Sequence, residues 1–429
     1  MANLSEMRRV LGHRDFRLLW LAQSSSVIGD NIVLVALALF VVGLTGSAAD
    51  LGLVLAAHAL SLVSFLLLGG VWADRLPRHR VMIATDLVRF ALHAVLAVLI
   101  FSGSARIWQV VVIEVLFGSA EAFFRPAASG LLPQTVPEPD IQQATAVVTM
   151  SNNVAEFAGP ALATALVLGA GAGWAFALDA ATFLVSAAFL VRVRPRVRSS
   201  PQAPDATPAR MPCHRPVGAR EVRSRVWVWA TLASFSVALF CGLAPWFVLG
   251  PVVAREQYGH LSVYGVVEAA LGLGTILGSL IGVLWRPRFP IRLGMLTTLV
   301  WPAAAILFAA GVTLFAVIPV TVIAGTGIAL FDIWWLTALA ERIPPGALSR
   351  VTSFDWMVSY ALLPLGFILA GPLAGSLGAV DVLIGGSVLA CVAFALGLLP
   401  RETRMLERLS SRESPPIADE RLRGLTHRS

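Results

Sequence analysis

A chain of 429 residues that is 57% hydrophobic and 13% charged, with a mean hydropathy of +0.79, lies outside the composition of soluble domains. Its net charge of +7 comes from 32 basic residues, and every one is arginine. Without a lysine no Walker A loop can form, which argues against ATP hydrolysis within this chain as an energy source. Cys213, Cys241 and Cys391 are widely separated and fit no disulfide or zinc spacing, so no metal and no cofactor is expected.

The amino end, 1–17, is short, polar and basic, and the apolar run after it has no small-residue cleavage site. It reads as a cytoplasmic lead-in. Apolar runs then recur at about 18–43, 50–73, 82–101, 107–128, 144–168 and 173–191, each long enough to cross a ~30 Å hydrocarbon core as a helix. Residues 192–225 break the pattern with nine arginines among Pro, Ser and Ala. Such a stretch buries too little apolar surface to offset its ordering entropy and reads as a solvated cytoplasmic linker. Six more runs follow, at about 227–250, 262–285, 292–312, 314–340, 351–374 and 379–399. The expected organisation is an all-α integral membrane protein: a first six-helix half (1–191), the linker (192–225), a second half (226–400) and a polar cytoplasmic tail (401–429).

With the amino end inside, only Arg106 and Arg255 fall in outside segments, and only Arg89 and Arg125 fall within spans. That bias places both termini and the linker in the cytoplasm. A gapless parallel repeat supports the two halves: 118–137 laid on 325–344 matches Gly118 with Gly325, Phe124 with Phe331 and Pro137 with Pro344. Halves related in this way place a transport site between them near the membrane midplane.

The segment 69–80, GGVWADRLPRHR, resembles the loop motif of the major facilitator superfamily through Gly70, Asp74, Arg75 and Arg80. Pro77 stands where the motif has glycine, and His79 where it has a base. FRLLWLAQ (16–23), TDLVR (85–89), FRPAASGLLPQTVP (124–137) and WAFALDAATFLVSA (174–187) are similar to the branch holding enterobactin exporters and macrolide efflux proteins. The resemblance implies a twelve-helix transporter in two six-helix pseudo-repeats and a cytoplasmic gate at the motif. Asp74 has its own rationale there, because a carboxylate can face the positive amino end of a neighbouring helix.

Ionisable groups at bilayer depth are expensive and call for a partner or a task. Asp30 lies at mid-depth in span one, beside Asn31. In span four, Glu114, Glu121 and Arg125 share one face, with Glu121 and Arg125 in the favourable i, i+4 order. Asp86 and Arg89, three apart in span three, read as a self-paired couple near the cytoplasmic side and are grouped with the gate. Asn153 and Glu156 in span five, Asp332 and Trp335 in span ten, Asn31 and Trp246 are candidates to line a substrate cavity. Asp179 and Glu268 read as structural or interfacial groups, and His58 and His93 as structural. Gly274, Gly278 and Gly282 let span eight pack closely on a neighbour.

The expectation is a monomeric, proton-coupled exporter of a small amphipathic molecule in the cytoplasmic membrane. Asp30, Glu121 and Arg125 would carry the coupling; the partners would be substrate, protons and lipid, with no nucleic acid. An importer, a transporter-like sensor and a membrane-embedded enzyme are the alternatives, although no HExxH, GxSxG or GxGD run appears in the spans.

Overall fold

The computed structural model describes residues 4–195, 224–285, 287–343, 351, 355 and 357–407. The expected linker from 196 to 223 and the tail from 408 onward lie outside the described residues, as do the side chains of Gly70, Asp74 and Asn153.

Among the described residues, twelve helices are long and apolar enough to cross a membrane. In the first set they are α1 (Arg14–Thr45), α2 (Ala48–Arg75), α3 (Arg78–Phe101), α4 (Ile107–Leu131), α5 (Ile141–Ala170) and α6 (Ala172–Leu190). In the second they are α7 (Val226–Tyr258), α8 (Ser262–Leu284), α9 (Pro290–Ala309), α10 (Leu314–Arg342), α11 (Met357–Leu377) and α12 (Ala379–Gly397). The connections follow local chemistry. Gly46 takes a left-handed φ of 68° to end α1, and the Ser47 hydroxyl then accepts the Asp50 N–H to start α2. In α7, Pro245 has no N–H to offer the Cys241 carbonyl, and a π turn forms at Leu239–Leu243. That carbonyl abuts α12 at Gly386, where any Cβ would overlap it.

An even number of crossings puts the start of α1 and the end of α12 on one face, the terminal face. Near the opposite face a single apolar core draws on both helix sets, with Val41 and Leu51 packed alongside Trp246, Leu249 and Phe308. Toward the terminal face the core divides in two. Phe16, Met82, Phe124 and Leu190 belong to one cluster; Trp227, Met295, Phe331 and Phe394 belong to another. The sets are therefore joined at the opposite face and parted at the terminal face.

Small residues close the joined end. Gly52 of α2 meets the Phe367 carbonyl of α11, Gly371 of α11 meets the Ala49 backbone, and Gly265 of α8 meets the Thr164 side chain of α5. Within each set the repeat is visible as packing. Gly118 of α4 lies against α2 at His58 and Ser61, and Gly325 of α10 lies against α8 at Leu271. The glycines of α8 do pack closely, as expected, and the neighbour is α10: Gly274 meets the Val322 carbonyl and Gly278 the Thr326 carbonyl.

Candidate functional site

The α4 face expected to carry Glu114, Glu121 and Arg125 points toward α2, and its centre is Gly118. A Cβ there would lie 2.5 Å from the His58 carbonyl oxygen, so only a glycine lets the two helices come this close. The closeness sets His58 between the two glutamates. Its Nδ1 is 3.0 Å from Glu114 and its Nε2 is 3.2 Å from Glu121. The expected Glu121–Arg125 pair is formed, with Arg125 Nε donating to Glu121 at 2.8 Å. The Arg125 side chain is 58% exposed, whereas Glu121 is 16% exposed. Glu121 thus touches an exposed cation on one side and a half-buried imidazole on the other.

From the sequence His58 reads as a core residue, and the signal that it is more lies in α4 itself. Two carboxylates on one face with a single arginine leave one acid in need of a partner, and unpaired buried charges are not tolerated at bilayer depth. A histidine on an adjacent span is the residue that meets that need.

A more deeply buried group lies behind the first. His93 of α3 is 1% exposed and stacks on Phe117 with ring centroids 4.1 Å apart. Its Nδ1 contacts Asp179 of α6, and its Nε2 is 3.8 Å from Glu114 Oε1. Asp179 therefore belongs to a buried ionic cluster and is not an interfacial group.

Asp86 and Arg89 are paired, as expected, but not at the cytoplasmic interface. Arg89 lies midway along α3, 1% exposed, with its guanidinium 4.2 Å from the Phe124 ring and 4.3 Å from the Phe183 ring. Asp86 also accepts from Ser186 at 2.6 Å, and Arg89 reaches Asp30 of α1 at 3.7 Å. The couple is the packed centre of the first helix set. The reason is packing: aromatic rings from α4 and α6 cover the guanidinium, and no single-span reading contains them.

At the α2–α3 connection, Arg75 and Arg80 are exposed, and Arg78 ties the start of α3 to α4. Its Nη1 donates to the Gly130 carbonyl at the end of α4 at 2.6 Å.

The cavity candidates divide. Glu156 and Asp332 are exposed on α5 and α10, and Asp332 lies within electrostatic reach of Glu156 and Asp355. Tyr360 of α11 is in reach of these acids and of Arg125. Exposed groups from α4, α5, α10 and α11 that sense one another must face a common space, the cleft between the two sets. Trp335 is buried in the second set's own core, and its indole donates to Asp355 at 2.9 Å, behind the cleft wall. Trp246 sits in the joined core and donates to Glu268 at 2.5 Å, so it does not line the cleft in this structure. Asn31 uses its amide on its own helix, donating to the Val27 carbonyl at 2.8 Å, and Gly159 packs against it. Among the described residues no His, Cys, Asp and Glu group could hold a metal ion.

Twelve spans in two glycine-matched sets around a cleft describe a transporter fold, and the Major Facilitator Superfamily profile matches residues 19–367. The chain belongs to the Major Facilitator Superfamily. Macrolide efflux protein A of Streptococcus pyogenes is 23% identical over 402 residues, covering 91% of this chain and 97% of that protein. Enterobactin exporter EntS of Salmonella typhimurium is 25% identical over 440 residues and covers 98% of both chains. The crystal structure of the nucleoside transporter NupG superposes with a TM-score of 0.68 at 14% identity, covering 90% of this chain and 100% of that one. As a member of the Major Facilitator Superfamily the chain is a multi-pass membrane transporter.

Proposed function

We propose that this Major Facilitator Superfamily member is a monomeric secondary exporter of small amphipathic molecules, driven by proton entry across the cytoplasmic membrane. The observation that carries the reading is the position of Glu121, held by cleft-facing Arg125 and by half-buried His58 at once. A carboxylate in that place can exchange its arginine for a proton and report the change to the substrate space. Asp30, which is half-buried and in reach of Arg89, is the second candidate carrier. The arginine distribution assigns the terminal face to the cytoplasm, so the parted cleft would be the inward-open state. Residues 192–225 would then be the cytoplasmic connector between the halves. Names of relatives covering nearly the whole chain, for a macrolide and for enterobactin, support export of a small amphipathic molecule.

The test is transport in proteoliposomes with a macrolide and with enterobactin as probes, compared with protein-free liposomes. An acidic lumen should drive accumulation of at least one probe, and a protonophore should abolish it. Accumulation that follows membrane potential but ignores the pH gradient would replace this reading with an importer or uniporter.

A further inference from the structure

Resting on the proton-coupled reading above, we propose that Glu121, His58, Glu114, His93 and Asp179 form a proton relay that leads from the substrate cleft into the interior of the first helix set.

The groups are in sequence and alternate in chemistry. Glu121 stands at the cleft; His58 lies 3.2 Å from it and 3.0 Å from Glu114. Glu114 faces His93 Nε2 at 3.8 Å, and His93 Nδ1 contacts Asp179. Carboxyl and imidazole groups in alternation are suited to proton transfer, because each ring can accept a proton on one nitrogen and release another from the opposite one. A proton on the Glu121 carboxyl passes to His58 Nε2 while the His58 Nδ1 proton passes to Glu114. The Glu114 proton passes to His93 Nε2 while the His93 Nδ1 proton passes to Asp179. One proton leaves Glu121 and one arrives at Asp179, and the reverse sequence carries a proton toward the cleft. No bond other than N–H and O–H changes, and each ring ends as its other tautomer.

One link is open in this structure. The 3.8 Å between His93 Nε2 and Glu114 Oε1 exceeds a hydrogen bond, and both buried atoms lack any partner. Two orphaned polar atoms facing each other within one buried cluster mark a contact made in another state. A shift of under about 1 Å between α3 and α4 would close it. The relay is therefore interrupted while the joined face is sealed, as an exporter needs in order not to leak protons.

Charge counting also requires movable protons. Around the relay stand Asp30 on α1, Asp86 and Arg89 on α3, and Arg125 on α4, with Ser186 of α6 on Asp86. Five carboxyls face two guanidiniums, so neutrality needs three protons distributed over five carboxyls and two imidazoles. Several arrangements satisfy that count, and conversion among them is proton transfer along the chain.

Packing alone does not call for these residues. In the second helix set the matching close approach is Gly325 on Leu271, and the positions equivalent to Glu114 and Glu121 in the 118–325 register are Thr321 and Ile328. The same helix contact is made there with no ionisable group at Leu271, Thr321 or Ile328.

The experiment compares wild type, His93→Gln, and the double variant His93→Phe with Asp179→Leu in the proteoliposome assay. Replacing a buried ionic pair by apolar groups of similar volume tends to preserve folding, so the double variant guards against loss of the single one. Probe counterflow without a gradient should stay within about twofold of wild type, while accumulation driven by an acidic lumen should fall about tenfold or more. If wild type itself shows no gradient-driven accumulation, the exporter reading fails and the relay with it. If wild type is coupled and the double variant remains coupled, the relay alone is overturned and coupling needs only the carboxylates at the cleft.

Discussion

Gly118 lies so close to His58 that a methyl group on it would meet the His58 carbonyl oxygen at 2.5 Å. Gly118→Ala must therefore push α2 away from α4, at a cost of about 1–3 kcal/mol for an overpacked contact. The matching Gly325→Ala would run into the Leu271 carbonyl and should destabilise the protein to a similar degree. Only Gly118→Ala is expected to weaken proton coupling, because only there do ionic side chains depend on the helix spacing. Thermal unfolding together with gradient-driven transport checks both halves of the claim; equal transport defects in the two variants would count against it.

Arg125 and Glu121 form the link between cleft and buried cluster. Arg125→Ala and Glu121→Gln should both retain probe exchange and lose accumulation driven by a pH gradient. Loss of a proton-transfer group costs on the order of 100-fold at the lower end of its usual range. Asp30→Asn is the comparison. If it alone uncouples transport, the proton is carried at Asp30 and the α4 pair is scaffolding.

The seal between the helix sets can be trapped. A Cβ on Gly265 of α8 would be 3.0 Å from the Thr164 Cβ of α5, slightly nearer than a disulfide prefers and so bridgeable by a small separation. Thr164→Cys with Gly265→Cys, in a background lacking the native cysteines, should cross-link under oxidant and arrest transport until reduced. Full activity of the cross-linked protein would mean that this face does not open.

Asp74→Asn should leave the protein inserted and folded yet remove most transport. A neutral amide loses an attraction to a helix amino end of about 0.3–1 kcal/mol, up to about 2 when partly buried. Wild-type transport by this variant would reduce the motif to a positively charged loop. Arg78→Gln, which weakens the tie to the Gly130 carbonyl, should give the milder form of the same defect in the same assay.

Topology is directly testable. A reporter active only in the cytoplasm should work when fused after Ser200 or at Ser429, and should fail after Gly103 or Gly169. Activity at Gly169 would invalidate the assignment of the terminal face to the cytoplasm.

The sequence alone determined what depends on neighbours along the chain. The twelve spans follow from runs of apolar residues, and the Glu121–Arg125 pair follows from i, i+4 spacing on one helix. Gly118 and Gly325 could be matched by register alone, because the two sets repeat the same helix contact. Tertiary structure decided what depends on which helix lies beside which. His58 and Glu114 are 56 positions apart and His93 and Asp179 are 86 apart, so no spacing rule could join them. Arg89 reads as interfacial by position, yet Phe124 and Phe183 from two other helices enclose it at the centre of its set. Trp246 and Trp335 are equally apolar and equally placed in the sequence to line a cavity. Each indole instead turns its N–H to a carboxylate behind the wall, Glu268 and Asp355 respectively. In an apolar solvent every helix face is free of penalty for hydrocarbon, so hydropathy does not say which face meets a partner; that is fixed only where polar groups must find one another.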